Sequence, residues 1–305
     1  MKLSKVLLNS LYYNPHILLL LTTFGWATNI ISAKLAVDEV SPIMLIFLRW
    51  GLVSIILFTF QYKEIFKTFH TIKNRILWFM LMGGLGICFF NAFFYIAAKY
   101  TTGINLGIIQ SCLPGLVIFS AYIFFGSKIS FYQFIGVFLT FISVLFIITK
   151  GSFETLLTLS FYSGDLIMIV AVLCYSGYTL GLKKRPKINS LTLFAFISFA
   201  AWITTLPLLS IEIYFDQTFF PSTFGWILIV YISIVPSLIC QIFYIRGVDL
   251  IGPGQAGLYT NLVPIFASLL SIFILSEKLY YYHFIALILV FLGIYLFEKT
   301  KLERV

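Results

Sequence analysis

Polar side chains stand inside several long apolar runs of this sequence, and Asn261 is the clearest example. It lies in GLYTNLVPIF, residues 257–266, three residues before Pro264. In lipid, an unpaired amide is costly, and a proline leaves a backbone carbonyl without its helical partner. Asn261 must therefore face a protein partner or a wet cavity. It can bond a neighbouring helix or contact a polar substrate, and the nearby Gln110 and Tyr259 favour the substrate.

Other hydrogen-bonding and aromatic side chains lie at a similar depth in the apolar runs. Trp26 and Asn29 are three residues apart, and Asn91 and Tyr95 are four apart, so each pair shares one helix face. Such groups would line a cavity with aromatic walls and a few neutral hydrogen-bonding groups, which suits a small amphipathic metabolite. Ordinary packing is the alternative for any single ring, because the chain has 18 Tyr and 34 Phe. The predicted substrate-binding residues are Trp26, Asn29, Asn91, Tyr95, Gln110, Tyr178, Gln241, Tyr244, Tyr259 and Asn261.

Arg49 lies about eight residues into the second apolar run, where a charge is expensive. Its guanidinium can anchor a substrate carboxylate or lock one conformation. Otherwise it snorkels to the interface or caps carbonyls of a neighbouring helix. We favour a structural or gating role. Pro114 and Pro264 join Arg49 in the predicted gating set because each removes a helix bond and permits a bend, the alternative being kinks that serve only packing.

Motifs for catalysis and metal binding are missing from the sequence. The three histidines are far apart, the four cysteines lie inside apolar runs without a CxxC pair, and neither HExxH nor a GxxxxGKS-type phosphate loop occurs. GGLG at 83–86 and GPGQAG at 252–257 lack the setting of a dinucleotide loop, and close helix packing explains them better. We therefore predict no metal, no cofactor and no enzymatic activity.

The composition predicts an all-α membrane protein embedded in a lipid bilayer. Only 10% of the 305 residues are charged, against about 25% in soluble chains, and the mean hydropathy is +1.03. Transmembrane helices need about 20 mostly apolar residues. Ten segments meet this length approximately: 17–36, 42–61, 76–98, 104–125, 130–149, 164–182, 190–211, 224–245, 254–275 and 281–297.

The basic residues predict how these spans are oriented. With a cytoplasmic N-terminus, fifteen of the 20 basic residues fall on the inside, and three, Lys99, Lys150 and Lys278, fall outside. This asymmetry predicts a multi-pass protein of the plasma or inner membrane with both termini in the cytoplasm. The net charge of +9 is then a topology signal, and no nucleic-acid partner is inferred from it.

The second half of the chain echoes the first at a distance of 150 residues. Gly107 and Pro114 recur as Gly257 and Pro264, and other identities keep the same register. We predict two five-helix repeats, 1–150 and 151–305. Because five is odd, the second repeat enters the membrane inverted, which is a common plan for alternating-access transporters with a midplane site between the halves.

Five stretches, in order, carry a resemblance to a known family. They are FGWATNIISAKLA in the first span, SPIMLIFLRW in the second, G-x₆-P in spans four and nine, GDLIMIVAVLCYSGYTL in span six and the SEKL loop at 276–279. Together they resemble the drug/metabolite transporter superfamily, in its ten-helix EamA branch, over nearly the whole chain. The family often has an acidic residue in the loop after helix four. Here the second half has Glu277 but the first has Ser127, so if that carboxylate pairs a helix end, the first half lacks the pair.

The predicted function is alternating-access export of small metabolites, such as amino acids. Related small multidrug exporters carry a glutamate in their first helix, where this chain offers Asn29, so export of hydrophobic drug cations is disfavoured. No Asp or Glu lies at mid-span, and a proton-driven exchanger usually needs one. A facilitated path for neutral or zwitterionic metabolites fits better, with coupling through a tyrosine, Asp249 or a bound ion left open. A metabolite importer and a non-transporting sensor or scaffold are the alternatives, and we expect a monomer or weak homo-oligomer.

Overall fold

The computed structural model describes residues 13–126, 130–158 and 162–302, and this part of the chain is built from helices. Eight helices are long and apolar enough to cross a bilayer, and two shorter apolar helices, Thr260–Leu275 and Tyr281–Leu296, bring the described set to ten. The protein is therefore an all-α, multi-pass membrane protein, as predicted. We label the helices α1 (Pro15–Leu35), α2 (Pro42–Lys73), α3 (Ile76–Tyr100), α4 (Gly103–Gln110 and Leu113–Phe125), α5 (Phe131–Ile148), α6 (Ser163–Gly181), α7 (Ser190–Tyr214), α8 (Thr223–Ile251), α9 (Thr260–Leu275) and α10 (Tyr281–Leu302).

Capping residues explain where several helices begin. Asn14 accepts hydrogen bonds from two backbone N–H groups in the first turn of α1, and Pro15 takes the first helical position. Ser130 and Gln133 form a capping box at the start of α5. These contacts satisfy N–H groups that a helix leaves unpaired at its start. The helix starts consequently fall close to the starts of the predicted spans.

Helix α2 is longer than the predicted span 42–61 and reaches Lys73. Its last three turns are amphipathic, with Ile65 and Ile72 buried while the exposed Lys67 pairs with Glu64 at 2.7 Å. The 32 residues of α2 measure about 48 Å, more than the hydrocarbon core needs. A search for continuous apolar runs misses such an extension because only one stripe of it is apolar.

Residues 246–253, the predicted connection between spans eight and nine, are helical. The backbone stays helical throughout Cys240–Tyr259. Its contacts with α1 nevertheless advance too little for a straight helix, since Gly247 packs on Leu19 whereas Tyr259 is hydrogen-bonded to His16, and they then reverse, since Phe266 contacts Phe24. A straight helix would carry residue 259 about 18 Å beyond residue 247. The chain therefore turns back within this element, as the Gly-Pro-Gly sequence at 252–254 suggests.

The helix pairings follow an inverted two-fold relation between the halves. Contacts join α1 to α8 and α9, and they join α6 to α3 and α4 in the corresponding way. The pairs α2–α7, α4–α9 and α5–α10 each relate a helix to its own counterpart five places along. Exchanging every helix with that counterpart therefore reproduces the same set of pairs. The exact boundary between repeats at 150/151 stays a prediction.

Irregular helix segments also recur in both halves. A π-helical stretch, Met82–Phe89, lies within α3, and a second, Ser233–Ile239, lies at the matching place in α8. Such stretches leave carbonyls free and often mark functional sites. Asn91, just after the first segment, and Ser237, within the second, both belong to the buried network described below.

The fourth and ninth helices are interrupted beside their prolines. The two parts of α4 meet at residues 111–112, and a 3₁₀ turn, Thr260–Leu262, opens α9. Pro114 and Pro264 occupy the second position of the α-helical segment that follows. Proline is tolerated there because its missing N–H would be unpaired in any case. The breaks agree with the predicted bends, while the gating role of both prolines stays a prediction.

The glycines of GGLG serve helix packing, as predicted. A Cβ atom on Gly83 would lie 2.6 Å from the Ala200 side chain of α7, and one on Gly86 would overlap Tyr178 of α6. This close approach brings α3 against both helices of the second half.

Candidate functional site

A buried polar network surrounds Arg49. Its Nε donates a hydrogen bond to Ser237 Oγ at 2.7 Å, and its Nη1 donates to Asn91 Oδ1 at 2.9 Å and to Tyr95 Oη at 2.8 Å. The Tyr95 hydroxyl in turn donates to Asn29 Oδ1 at 3.1 Å. The network joins α1, α2, α3 and α8, and it unites three of the predicted substrate-binding residues with the predicted gating arginine.

The network lies inside the membrane-crossing bundle. We call the face at which α1 begins the proximal face and the face at which it ends the distal face. Arg49 and Asn29 both stand about 10 Å from the distal ends of their helices. Arg49 is 6% exposed, and its hydrogen-bond partners are side chains. Snorkelling and carbonyl capping, two of the alternatives for this residue, are therefore excluded.

An aromatic pair adjoins the network at the π-helical segment of α8. Trp26 contacts Tyr244 with ring centroids 5.1 Å apart, and its Nε1 donates to the Pro236 carbonyl at 3.2 Å. Pro236 directly precedes Ser237, the partner of Arg49. The aromatic and polar residues thus share one wall of the site.

A second aromatic set lies on the symmetry-related helix pair, α3 and α6. Tyr175 contacts Phe90 with centroids 5.0 Å apart and Tyr178 with centroids 5.2 Å apart. We call Trp26, Phe90, Tyr175, Tyr178 and Tyr244 the aromatic cluster. Its five members are half-buried.

Tyr259 lies apart from this site. Its hydroxyl is hydrogen-bonded to His16 Nδ1 at the proximal face. His16 is ten residues, or about 15 Å, from Trp26 along α1. Tyr259 is therefore not part of the Arg49 network, and its contact with a substrate stays a prediction.

The remaining predicted amides line other parts of the interior. Gln110 and Asn261 stand at the interruptions of α4 and α9, and Gln241 follows the π-helical segment of α8. All three are half-buried, and none makes a side-chain hydrogen bond within the described ranges. Their contact with a substrate stays a prediction.

Sequence reasoning missed a second polar cluster, near the distal face. The fully buried Asp165 accepts hydrogen bonds from Thr101 Oγ1 and from Asn105 Nδ2, the latter at 3.0 Å. His283 Nδ1 accepts from the Tyr280 N–H, so its Nε2 donates to Asn105 Oδ1 at 3.1 Å. We call Thr101, Asn105, Asp165 and His283 the distal cluster, and it ties α3 and α4 to α6 and α10.

This cluster had only a faint signal in the sequence. Thr101 and Asn105 are four residues apart, but their partners lie 60 or more positions away. Nothing in the spacing indicates that α4, α6 and α10 meet at one face. In the described part of the chain, no three His, Cys, Asp or Glu side chains converge as a metal site would require.

Two carboxylates cap helix starts across the halves at the distal face. Glu277 accepts hydrogen bonds from the N–H groups of Gly103 at 2.7 Å and Ile104 at 3.0 Å, at the start of α4. Glu212 of α7 similarly accepts from the Ile43 N–H at 3.0 Å, at the start of α2. Negative charge at a helix N-terminus is stabilising because it satisfies unpaired donors and complements the helix dipole.

The acidic residue in the loop after α9, Glu277, therefore does pair with a helix end. Ser127, its counterpart in the first half, lies outside the described residues. Lys34 completes this region by donating to the carbonyls of Ala98 and Thr101 at 2.7 Å, at the end of α3. A cation at a helix C-terminus is the favourable arrangement.

The proximal face is joined differently. Arg75 donates to the Lys184 carbonyl at 3.4 Å, and Trp78 donates to the Gly181 carbonyl at 3.3 Å. These bonds are longer and less buried than those of the distal carboxylates. Shorter charge-assisted bonds are the stronger ones. A hydrogen bond between the exposed His16 and Tyr259 also joins the two halves at the proximal face, so the distal face is distinguished by the burial of its contacts.

Comparison with known proteins identifies a transporter family. The model of the EamA-like transporter family matches this chain twice, over residues 14–149 and 162–298. YyaM of Bacillus subtilis, described as an uncharacterized transporter, is 28% identical over 266 residues, which is 86% of each chain. An uncharacterized transporter of Archaeoglobus fulgidus is 28% identical over 285 residues, covering 92% of this chain and 96% of its own length.

One solved crystal structure shares the fold. It superposes with a TM-score of 0.61 at 14% sequence identity, and the match covers 92% of this chain and 96% of that chain. Identity this low speaks for a common fold and not for a common substrate.

Proposed function

Since this chain belongs to the EamA-like transporter family, we propose that it exports small metabolites, such as amino acids, by alternating access. The substrate site is formed by the Arg49 network together with the aromatic cluster. Both lie between the inverted halves, where this plan places its sites. Catalysis has no part in this function.

One observation carries the proposal: the buried polar network uses side chains from both halves. Arg49, Asn91 and Tyr95 come from the first half, and Ser237 comes from the second. Rocking of one half against the other must break the bond between Arg49 and Ser237. Opening of the site is thereby coupled to the state of its polar groups.

The distal bonds support a distally closed state. The distal cluster and the Glu277 cap each join the first half to the second. In the opposite state these bonds would be released and the proximal contacts would close. The distribution of basic residues favours a cytoplasmic proximal face, and in that orientation the present conformation would load substrate for export.

The orientation can be tested by labelling in intact cells. Asp216→Cys, at a distal loop, should react with a membrane-impermeant maleimide, whereas Asn74→Cys, at a proximal loop, should react only after permeabilisation. The reverse labelling pattern would mean that the proximal face lies outside the cell, so that the present conformation faces outward.

The function is tested with purified protein in liposomes. Flux is measured for a panel of amino acids, carboxylates and their amides, with and without a pH gradient. Trp26→Ala removes the ring that contacts Tyr244, and Trp226→Ala, at a residue 48% exposed on α8, serves as the matched control. Size-exclusion profiles establish that both variants are folded.

We expect flux of at least one class, retained in the Trp226 variant and at least about tenfold lower in the Trp26 variant, as for loss of a buried aromatic contact. Flux without dependence on the pH gradient supports the facilitated mechanism. Failure of every compound to move, with folded protein, would favour a sensor or scaffold. Equal flux in both variants would remove the aromatic cluster from the path.

A further inference from the structure

Arg49 carries a buried positive charge without a negative partner in the described part of the chain. Its three hydrogen-bond acceptors, Ser237, Asn91 and Tyr95, are neutral side chains. The ion pair found among the described residues, Lys67–Glu64, is exposed and lies in the extension of α2. A buried charge is costly unless a counter-charge accompanies it. The site is therefore electrostatically incomplete when empty.

Two hydrogen-bond donors of the network have no acceptor among the described residues, and their position indicates where a negatively charged group would bind. Nε and Nη1 of Arg49 are occupied, but Nη2 donates to no group among the described residues. Some buried polar atoms, such as Trp50 Nε1, have neither a hydrogen-bond partner nor accessible surface. Nη2 is not one of them, so it keeps some accessible surface. The same holds for Nδ2 of Asn29, whose Oδ1 is engaged by Tyr95.

Aromatic rings hold the guanidinium in place. Its central carbon lies 5.1 Å from the Trp50 ring centroid and 5.9 Å from that of Tyr95. With the group packed against these rings and two of its nitrogens bonded, Nη2 is the donor that remains for a ligand. Asn29 Nδ2 belongs to the same chain of hydrogen bonds, two links away through Tyr95.

We propose that Arg49 Nη2 and Asn29 Nδ2 bind a single carboxylate of the transported molecule. One guanidinium balances one negative charge, so the substrate class is a monocarboxylate. Trp26 lies one turn from Asn29, so the apolar body of the same molecule packs on the aromatic cluster. An amino acid presents this carboxylate too, with its ammonium group over the aromatic rings. The inference rests on the proposed function and names the chemistry of its site.

The test compares two probe pairs that differ only at the carboxyl group. They are 3-phenylpropionate with 3-phenylpropionamide, and phenylalanine with phenylalaninamide. Binding is measured by ligand-dependent shifts of thermal unfolding in detergent, and flux is measured in liposomes. We expect at least one carboxylate to bind about 10- to 100-fold more tightly than its amide, as for a charge-assisted hydrogen bond.

Three variants separate recognition from folding. Arg49→Gln removes the charge, and Arg185→Gln, at an exposed residue of the proximal face, is its control. Asn29→Asp keeps an acceptor for Tyr95 but turns the free donor into a carboxylate that pairs with Arg49. We expect Asn29→Asp to unfold at the same or a higher temperature than the wild type, and yet to lose the preference for carboxylates.

The outcomes are distinct. Amides that bind and move as well as their carboxylates would overturn the anchor while leaving transport intact. Carboxylate preference unchanged in Asn29→Asp would also overturn it, because an internal carboxylate would then occupy the proposed place without effect. If no probe or panel compound binds or moves in the wild type, the proposed function itself fails, and the anchor falls with it.

Discussion

The neutral partners of Arg49 keep its charge available, which a buried carboxylate would not. A preformed ion pair would satisfy the guanidinium and would leave it little affinity for a ligand. Three uncharged acceptors fix its position and orientation, and its charge remains for an incoming anion. The Tyr95 hydroxyl is central to this design because it accepts from Arg49 and donates to Asn29.

Tyr95→Phe tests that bridging hydroxyl. The substitution keeps the ring but removes one acceptor of the buried guanidinium and the donor that orients Asn29. We expect the free energy of unfolding to fall by about 1–3 kcal/mol, as for loss of a hydrogen bond to a buried charged group. Carboxylate affinity should fall with it, because both anchoring donors lose their support. Thermal unfolding and probe binding in detergent measure the two effects.

Tyr62→Phe is the matched control for this prediction. Tyr62 lies on α2 and is 52% exposed, and its hydroxyl makes no hydrogen bond to the described residues. We expect it to change neither quantity. A Tyr95 variant as stable and as carboxylate-selective as the wild type would mean that Arg49 and Asn29 are positioned without the bridge.

At the scale of residues, the sequence predicts which side chains belong to the site better than it predicts their hydrogen-bond partners. Asn29, Asn91, Tyr95 and Arg49 are recognisable because polar groups in apolar runs require a reason. Ser237 is not, since a serine in a membrane helix can bond its own backbone, and here it also donates to the Ile232 carbonyl. Its hydrogen bond with Arg49 depends on the π-helical segment of α8, and the local sequence does not predict that segment.

At the scale of helices, we expect the Glu277 cap to control access at the distal face. This side chain reaches from the loop before α10 to the first N–H groups of α4, and so connects the two halves at the distal face. The connection is charge-assisted and half-buried, which makes it stronger than a neutral cap. We therefore expect this contact to be made when the distal face is closed and to be lost when it opens.

Glu277→Gln weakens this contact while preserving its shape. The amide keeps one acceptor but loses the charge and the second acceptor, so we expect thermal stability to fall by about 1–2 kcal/mol. Opening at the distal face should become more frequent. A Ser271→Cys probe reports it, because Ser271 is fully buried against Gly103 in the closed state. With the native cysteines replaced, its alkylation should accelerate several-fold in the Gln variant.

Glu64→Gln, at an exposed carboxylate on the extension of α2, should leave the alkylation rate unchanged. Equal alkylation rates of Ser271→Cys alone, with Glu277→Gln and with Glu64→Gln would show that Glu277 stabilises α4 without controlling the distal face.

Helix positions were predictable where apolar length and caps agree, and less so where they do not. The span starts near Pro15, Phe131 and Thr223 follow from caps and prolines that can be read in the sequence. The amphipathic end of α2 and the helical turn-back between α8 and α9 escape a hydropathy window. The former has charges along one face, and in the latter Gly and Pro permit a reversal without a polar loop.

Over the whole molecule, the inverted architecture was predictable because it depends on counting. A register of 150 residues and an odd number of spans per half require the second half to be upside down. The seal at the distal face was not predictable, because it depends on which helix ends meet. Asp165, Asn105 and His283 gain their meaning only when α4, α6 and α10 are placed side by side.

Alternating access requires the distal contact between the halves to open in every cycle, and a covalent lock tests this. Gly103 of α4 and Ser271 of α9 are in close contact at the distal face. Gly103→Cys together with Ser271→Cys, in a background without the native cysteines, should form a disulfide on oxidation. The locked protein should lose at least about 90% of its flux, because the site can no longer reach the distal side.

The reduced double variant and the oxidised Ser271→Cys single variant serve as controls and should transport alike. The locked protein should still bind 3-phenylpropionate, since the proximal route to Arg49 does not pass through the lock. Full flux in the locked protein would mean that substrate crosses without separation of α4 from α9 at the distal face. The distal bonds would then be structural, and the inverted repeat would serve a fixed path instead of a rocking one.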